Sequence, residues 1–96
     1  MTSFRGYKFY ENKDSLNFDL RWYNDKTIQE LKELCDKDDR CIGFNTNGYL
    51  KTLIYPEFKF VPVSSDNKIT NGLFVNIERY KKMSAYMSCH KFVYVS

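Results

Sequence analysis

Three cysteines and one histidine, Cys35, Cys41, Cys89 and His90, are the residues of this chain best suited to metal binding or nucleophilic attack. As a zinc set they fit poorly. Structural zinc sites draw their ligands as spaced pairs such as C-x2-C around a tetrahedron, whereas this set has Cys35-x5-Cys41 and an adjacent Cys-His pair. Adjacent residues on a strand point to opposite faces. Cys89 and His90 also fail as nucleophile and base, because a thiol and its base converge from separate elements. Asp36, Asp38 and Asp39 crowd one short segment, where solvation and helix-end turn chemistry account for them. We therefore assign no catalytic residue, metal ligand or cofactor site, and the chain reads as not an enzyme. Cys35 and Cys41 admit two readings. A bridge would close a small loop, contributing about 2–3 kcal/mol in the chain-entropy picture; the alternative is two reduced thiols packed as small hydrophobes.

Recognition chemistry has better candidates. Trp22 and Tyr23 beside Asn24 could present an aromatic platform to a sugar ring, with Asn45, Asn47 and Lys51 supplying polar contacts. Tyr49 and Asp14 join this set through a hairpin spanning Asn45–Lys51 and a loop spanning Asp14–Asn17. The plainer readings compete: Trp22 fills the core beside the start of a helix, Asn47 is a turn residue, and Lys51 is a solvated strand position. Asn45 is different, since asparagine is unfavourable within a strand and needs a partner. Arg79-Tyr80-Lys81-Lys82 with Lys91 forms a basic, aromatic cluster of the kind that binds single-stranded nucleic acid or acidic partners. A solvated tail, or a strand edge protected by lysine, explains it more simply.

These residues need a frame. Residues 5–10 alternate enough to read as a strand, 11–19 as a polar loop, and Leu20–Tyr23 as a short extended segment. Thr27-Ile28-Gln29-Glu30 is a capping box, and Ile28, Leu31, Leu34 and Cys35 follow at helical spacing, which predicts a helix over 27–38. Asn47-Gly48 tolerates the positive φ of a tight turn and predicts a hairpin of 41–46 with 49–54. Phe58–Val63 alternates apolar and polar residues, and Pro62, which lacks a ladder donor, makes it an edge strand or a strand end. The stretch 64–71 reads as a loop, while 72–77 and 92–95 are further strands. Arg79–Cys89 is open between a short helix and an irregular connection. One helix among five to seven strands gives an α+β domain.

Ninety-six residues suit one domain. Residues 1–78 carry 11 Lys and Arg against 12 Asp and Glu, so the net charge of +3 comes from the tail. A nucleic-acid binder shows its basic face across the fold, and nucleic acid is disfavoured as a partner on that ground. No apolar run reaches the ~18 residues of a membrane span. The N-terminus lacks a secretory core and no Asn-x-Ser/Thr acceptor occurs. Location is therefore unknown: secreted if this is an excised domain, otherwise intracellular.

Cys35-x5-Cys41 followed by Gly43-Phe44-Asn45-Thr46-Asn47-Gly48-Tyr49-Leu50-Lys51, with Gly6-Tyr7-Lys8-Phe9-Tyr10 and Asp14-Ser15 upstream, resembles the core of the PAN/apple domain family. The resemblance covers roughly residues 5–77. It implies a curved antiparallel β-sheet cradling a single α-helix, with Cys35 and Cys41 joined as a helix–strand disulfide. It further implies a non-catalytic recognition module for carbohydrate or a protein surface. The expectation is thus a module over 1–78 and a basic extension over 79–96 ending in a strand on the same domain. The candidate ligand-binding residues are Asp14, Trp22, Asn45, Asn47, Tyr49 and Lys51. The alternatives are a self-assembling protein using its aromatic strands and tail, and a nucleic-acid binder acting through the tail.

Overall fold

A computed structural model describes residues 3–63 and 71–89. Its centre is a five-stranded antiparallel sheet in the order β1 (Tyr7–Glu11), β7 (Gly72–Asn76), β4 (Gly43–Asn45), β5 (Tyr49–Lys51) and β3 (Asp19–Trp22). A two-stranded sheet pairs β2 (Lys13–Asp14) with β6 (Val61–Pro62). Two helices complete the α+β domain, α1 (Ile28–Lys37) and α2 (Ile77–Cys89). The stretch from Arg79 that was open between helix and connection is therefore a helix, and the described fold has two helices rather than the single one expected. The strand expected at 92–95 and most of the loop expected at 64–71 fall outside the described residues.

Helix α1 starts where its capping box predicts. Thr27 Oγ1 accepts from the Glu30 amide at 3.1 Å, and Glu30 Oε1 accepts from the Thr27 amide at 2.8 Å. Its buried face, Leu31 and Cys35, packs on Cys41, Phe44, Leu50 and Phe74 from the sheet. The disulfide Cys35–Cys41, with Cα atoms 5.2 Å apart, ties the end of α1 to the chain entering β4. Side chains alternate across a strand, so Leu73 and Val75, on either side of Phe74, face away from α1. They form a second cluster with Ile42 and Ile54, covered by Tyr80 and Met83 of α2 and by Phe60.

Three expectations differ at the level of elements, the first being the loop expected over 11–19, within which Lys13–Asp14 forms β2. The hairpin strands are three residues each, because the connection is Thr46–Gly48 rather than Asn47-Gly48 alone. Gly48 (φ +101°) is the one turn residue in the left-handed region, the arrangement of a three-residue hairpin loop. A Cβ there would run into the Tyr23 carbonyl. Phe58–Val63 is mostly not a strand: after Pro56 the chain makes a 3-10 turn over Glu57–Lys59, and only Val61–Pro62 pairs. Phe58 is left 83% exposed.

Candidate functional site

Leu50 and Phe44 point toward α1, so Tyr49, Lys51 and Asn45 on the same strands point to the opposite face. Four of the six candidate residues lie on this face of β3, β4 and β5, and the turn at Asn47 and the β2 residue Asp14 join them to form one connected patch. Trp22 stands opposite Tyr49 in the ladder, with ring centroids 5.9 Å apart and planes inclined by 31°. The Trp22 indole Nε1 donates to the Asn47 carbonyl at 3.2 Å. That bond uses the ring's polar atom.

Trp22 is 53% exposed and does not fill the core. The reason is its place on β3, the edge strand, which is bulged between Asp19 and Arg21. Neighbouring Tyr23 turns to the α1 cluster instead. In the sequence the two aromatics are equivalent; the strand's orientation separates them.

Asn45 is buried and finds the partners its strand position demands. Its Oδ1 accepts from the amides of Asn47 at 3.1 Å and Tyr49 at 3.0 Å, and its Nδ2 donates to Asp14 Oδ2 at 3.2 Å. It therefore shapes the turn that carries the aromatic pair. Asp14 also accepts from the Ser15 amide at 2.8 Å. Burial raises the Asp14 carboxyl above its usual range, against the opposing pull of Lys51 and of these hydrogen bonds.

Lys51 is not the solvated strand residue expected. Only 3% of it is exposed, because β5 is flanked on both sides by β4 and β3. Its Nζ pairs with Asp19 Oδ1 at 2.5 Å, donates to the Asn17 carbonyl at 3.3 Å, and lies 5.6 Å from the Tyr49 ring centroid. A buried ammonium needs such neutralisation. Asn17 and Phe18 both take left-handed φ, of 67° and 59°. Beyond the bend, the Phe18 ring packs against Tyr55 at 5.3 Å.

Sequence reasoning missed three contributors. Asp19 neutralises Lys51. Ser15, fully buried, accepts the Tyr55 amide at 3.0 Å. Arg79 belongs to no free basic cluster: Nη1 donates to the carbonyls of Cys35 (2.8 Å), Asp38 (3.0 Å) and Cys41 (2.8 Å), and Nη2 to that of Asp36 (3.0 Å). No short-range spacing signals these partners, which lie 32 to 44 residues apart in the chain for Lys51–Asp19 and Arg79. Cys35 and Cys41, once candidate metal ligands, are joined to each other. Among the described residues no helix is long and apolar enough to cross a membrane.

Two proteins of Acanthamoeba polyphaga mimivirus are similar to this chain. One, named "Putative fucosyltransferase", is 40% identical over 73 residues, covering 75% of this chain and 12% of its own length. The other, named "Putative glycosyltransferase", is 33% identical over 72 residues, covering 75% of this chain and 22% of its own length. The chain thus spans between about a tenth and a quarter of the relatives it matches. No family model matches it, and no solved structure matches it. The expectation that the chain is not an enzyme does not stand: both relatives, each aligned with three quarters of it, are named as transferases.

Proposed function

We propose that this chain works in glycosyl transfer and holds a saccharide on the Trp22–Tyr49 face. The observation that carries the reading is the aromatic pair itself: two rings inclined by 31°, one of them 53% exposed, on the face that α1 leaves open. A pyranose ring has a polar rim and an apolar C–H face, so it can stack on an indole while its hydroxyls reach the polar rim of the turn and the Asp14–Asn17 loop. The names of the two mimivirus relatives support a saccharide as ligand. The Cys35–Cys41 bridge between α1 and the sheet supports a PAN/apple-like recognition fold, from whose single helix the presence of α2 departs.

Stacking one sugar face removes ~50–100 Å² of apolar surface from water, worth about 1–2.5 kcal/mol. With a few exposed hydrogen bonds added, that corresponds to dissociation constants of about 0.1–1 mM. Such a face does not capture a glycan tightly. Within or alongside a transferase, it would raise the local concentration of the sugar chain being extended.

The test is binding of the full chain to a broad glycan array, followed by Trp22→Ala. The variant is expected to lose at least about tenfold in affinity for whatever saccharide binds, while its unfolding free energy changes by no more than about 0.5 kcal/mol, the usual range at an exposed site. Unchanged binding in Trp22→Ala would remove the platform from the reading. A protein partner is the second reading, favoured by the exposure of Leu16 (50%), Phe18 (41%) and Phe58 (83%).

A further inference from the structure

We infer that the Trp22–Tyr49 face selects neutral saccharides and turns away acidic ones; this rests on the saccharide reading above. The argument is one of charge. Lys51 is the cation beside the rings, and it is buried and already neutralised by Asp19, with the Asn17 carbonyl taking a further bond. Asp14 adds a second carboxylate, bound through Asn45 to the turn under the rings. Lys51, Asp19 and Asp14 together carry one net negative charge.

Among the described residues, the other basic groups nearby do not face the rings. The Arg21 guanidinium lies 5.7 Å from the Tyr23 ring centroid and lines a cleft on the α1 side with Leu34 and Lys37. Lys13 lines a crevice with Asp14, Asn45 and Asn47 whose lining includes neither ring, and there it shares the space with the Asp14 carboxylate. Lys59 lies over Tyr55, 5.7 Å from its centroid. Lys26, in the loop before α1, is offset in sequence by adjacent Asp25. A sialic acid carboxylate or a sugar sulfate stacked on the rings would therefore meet the negative charge of this group and, among the described residues, no uncommitted ammonium beside the rings themselves. Such groups bind best where a cation can pair with them. A neutral sugar loses nothing by this, and its stacking is little screened by salt.

The chain has one tryptophan, so its fluorescence reports on this face directly. The full chain is titrated with neutral galactose- and fucose-terminated oligosaccharides and with sialylated and sulfated derivatives of the same cores, at low and at physiological salt. The expected result is at least about fivefold tighter binding of the neutral forms, with little salt dependence. Asp19→Asn, which leaves the Lys51 charge unpaired, should narrow or reverse the preference; Asp14→Asn should narrow it too and serves if the first variant does not fold. Equal or tighter binding of the acidic forms to the unaltered chain overturns the inference and leaves the saccharide reading standing. Binding of neither class overturns the saccharide reading, and the inference with it.

Discussion

The Tyr7 hydroxyl donates to Asp36 Oδ1 at 2.7 Å, and Lys32 pairs with the same carboxylate at 2.8 Å. Burial, and then the hydrogen bond to Asp36, push Tyr7 up to about 12. An unfolded tyrosine titrates near 10, so the protonated hydroxyl stabilises the fold fully below pH ~10. That contribution disappears as pH rises toward ~12. Tyr7→Phe is expected to lose about 1 kcal/mol at pH 7, and the gap between it and the unaltered chain should close between pH 10 and 12. Urea unfolding of both proteins at several alkaline pH values checks this, and a gap that stays constant would assign the loss to packing alone. Asp38 behaves in the opposite sense, held down to about 2 by hydrogen bonds from Arg40. At this scale the sequence is readable where partners are near. The Asp38–Arg40 pair and the capping box are local, whereas Tyr7–Asp36 and Lys51–Asp19 join residues whose proximity only the fold creates. The candidate patch was legible because one hairpin and one loop deliver most of it. Whether Trp22 or Tyr23 faced outward was not.

Among the elements, α1 and α2 meet through Arg79. A helix leaves its last carbonyls without intrahelical partners, and a cation there also meets the negative end of the helix dipole. Arg79 satisfies Cys35 and Asp36 at the end of α1 and Asp38 and Cys41 just beyond it. Two of those four residues are the bridged cysteines, so the disulfide holds the carbonyls in the arrangement the guanidinium needs. Arg79→Met is expected to cost about 2–3 kcal/mol, the scale of charge-assisted hydrogen bonds left unmade. Removing the bridge as well, by Cys35→Ser with Cys41→Ser, should cost measurably less in that variant than in the unaltered chain. Strict additivity in the cycle would mean that bridge and clasp act independently. Helix α1 could be read from its cap and periodicity. Helix α2 could not, because its mixed basic and aromatic pattern carries no clear apolar stripe, and its anchor is a contact with the other helix.

For the whole molecule, α2 supplies Tyr80 and Met83 to the second apolar cluster as well as Arg79 to the first helix. A chain ended at residue 78 is therefore expected to melt well below the full chain, with several kcal/mol less stability from the lost burial and clasp. Calorimetry of the two proteins checks this; equal melting would make residues 79–96 an appendage. The α+β class was legible because one helix with a clear cap stood among short alternating segments. The sheet order was not, since pairing of β1 with β7 depends on segments more than sixty residues apart. That order has a consequence for how the chain reaches its native state. β7 follows every other described strand in sequence and yet lies between β1 and β4. During synthesis β1 and β4 emerge first, each with a row of unpaired amides and carbonyls facing the gap that β7 will fill. Only the β4–β5 hairpin can assemble early from local contacts, and closure of the sheet waits for residues 72–76. Such long-range pairing sets folding on the millisecond-to-second scale rather than the microsecond one, and until it happens the open gap is a template for a strand from another chain.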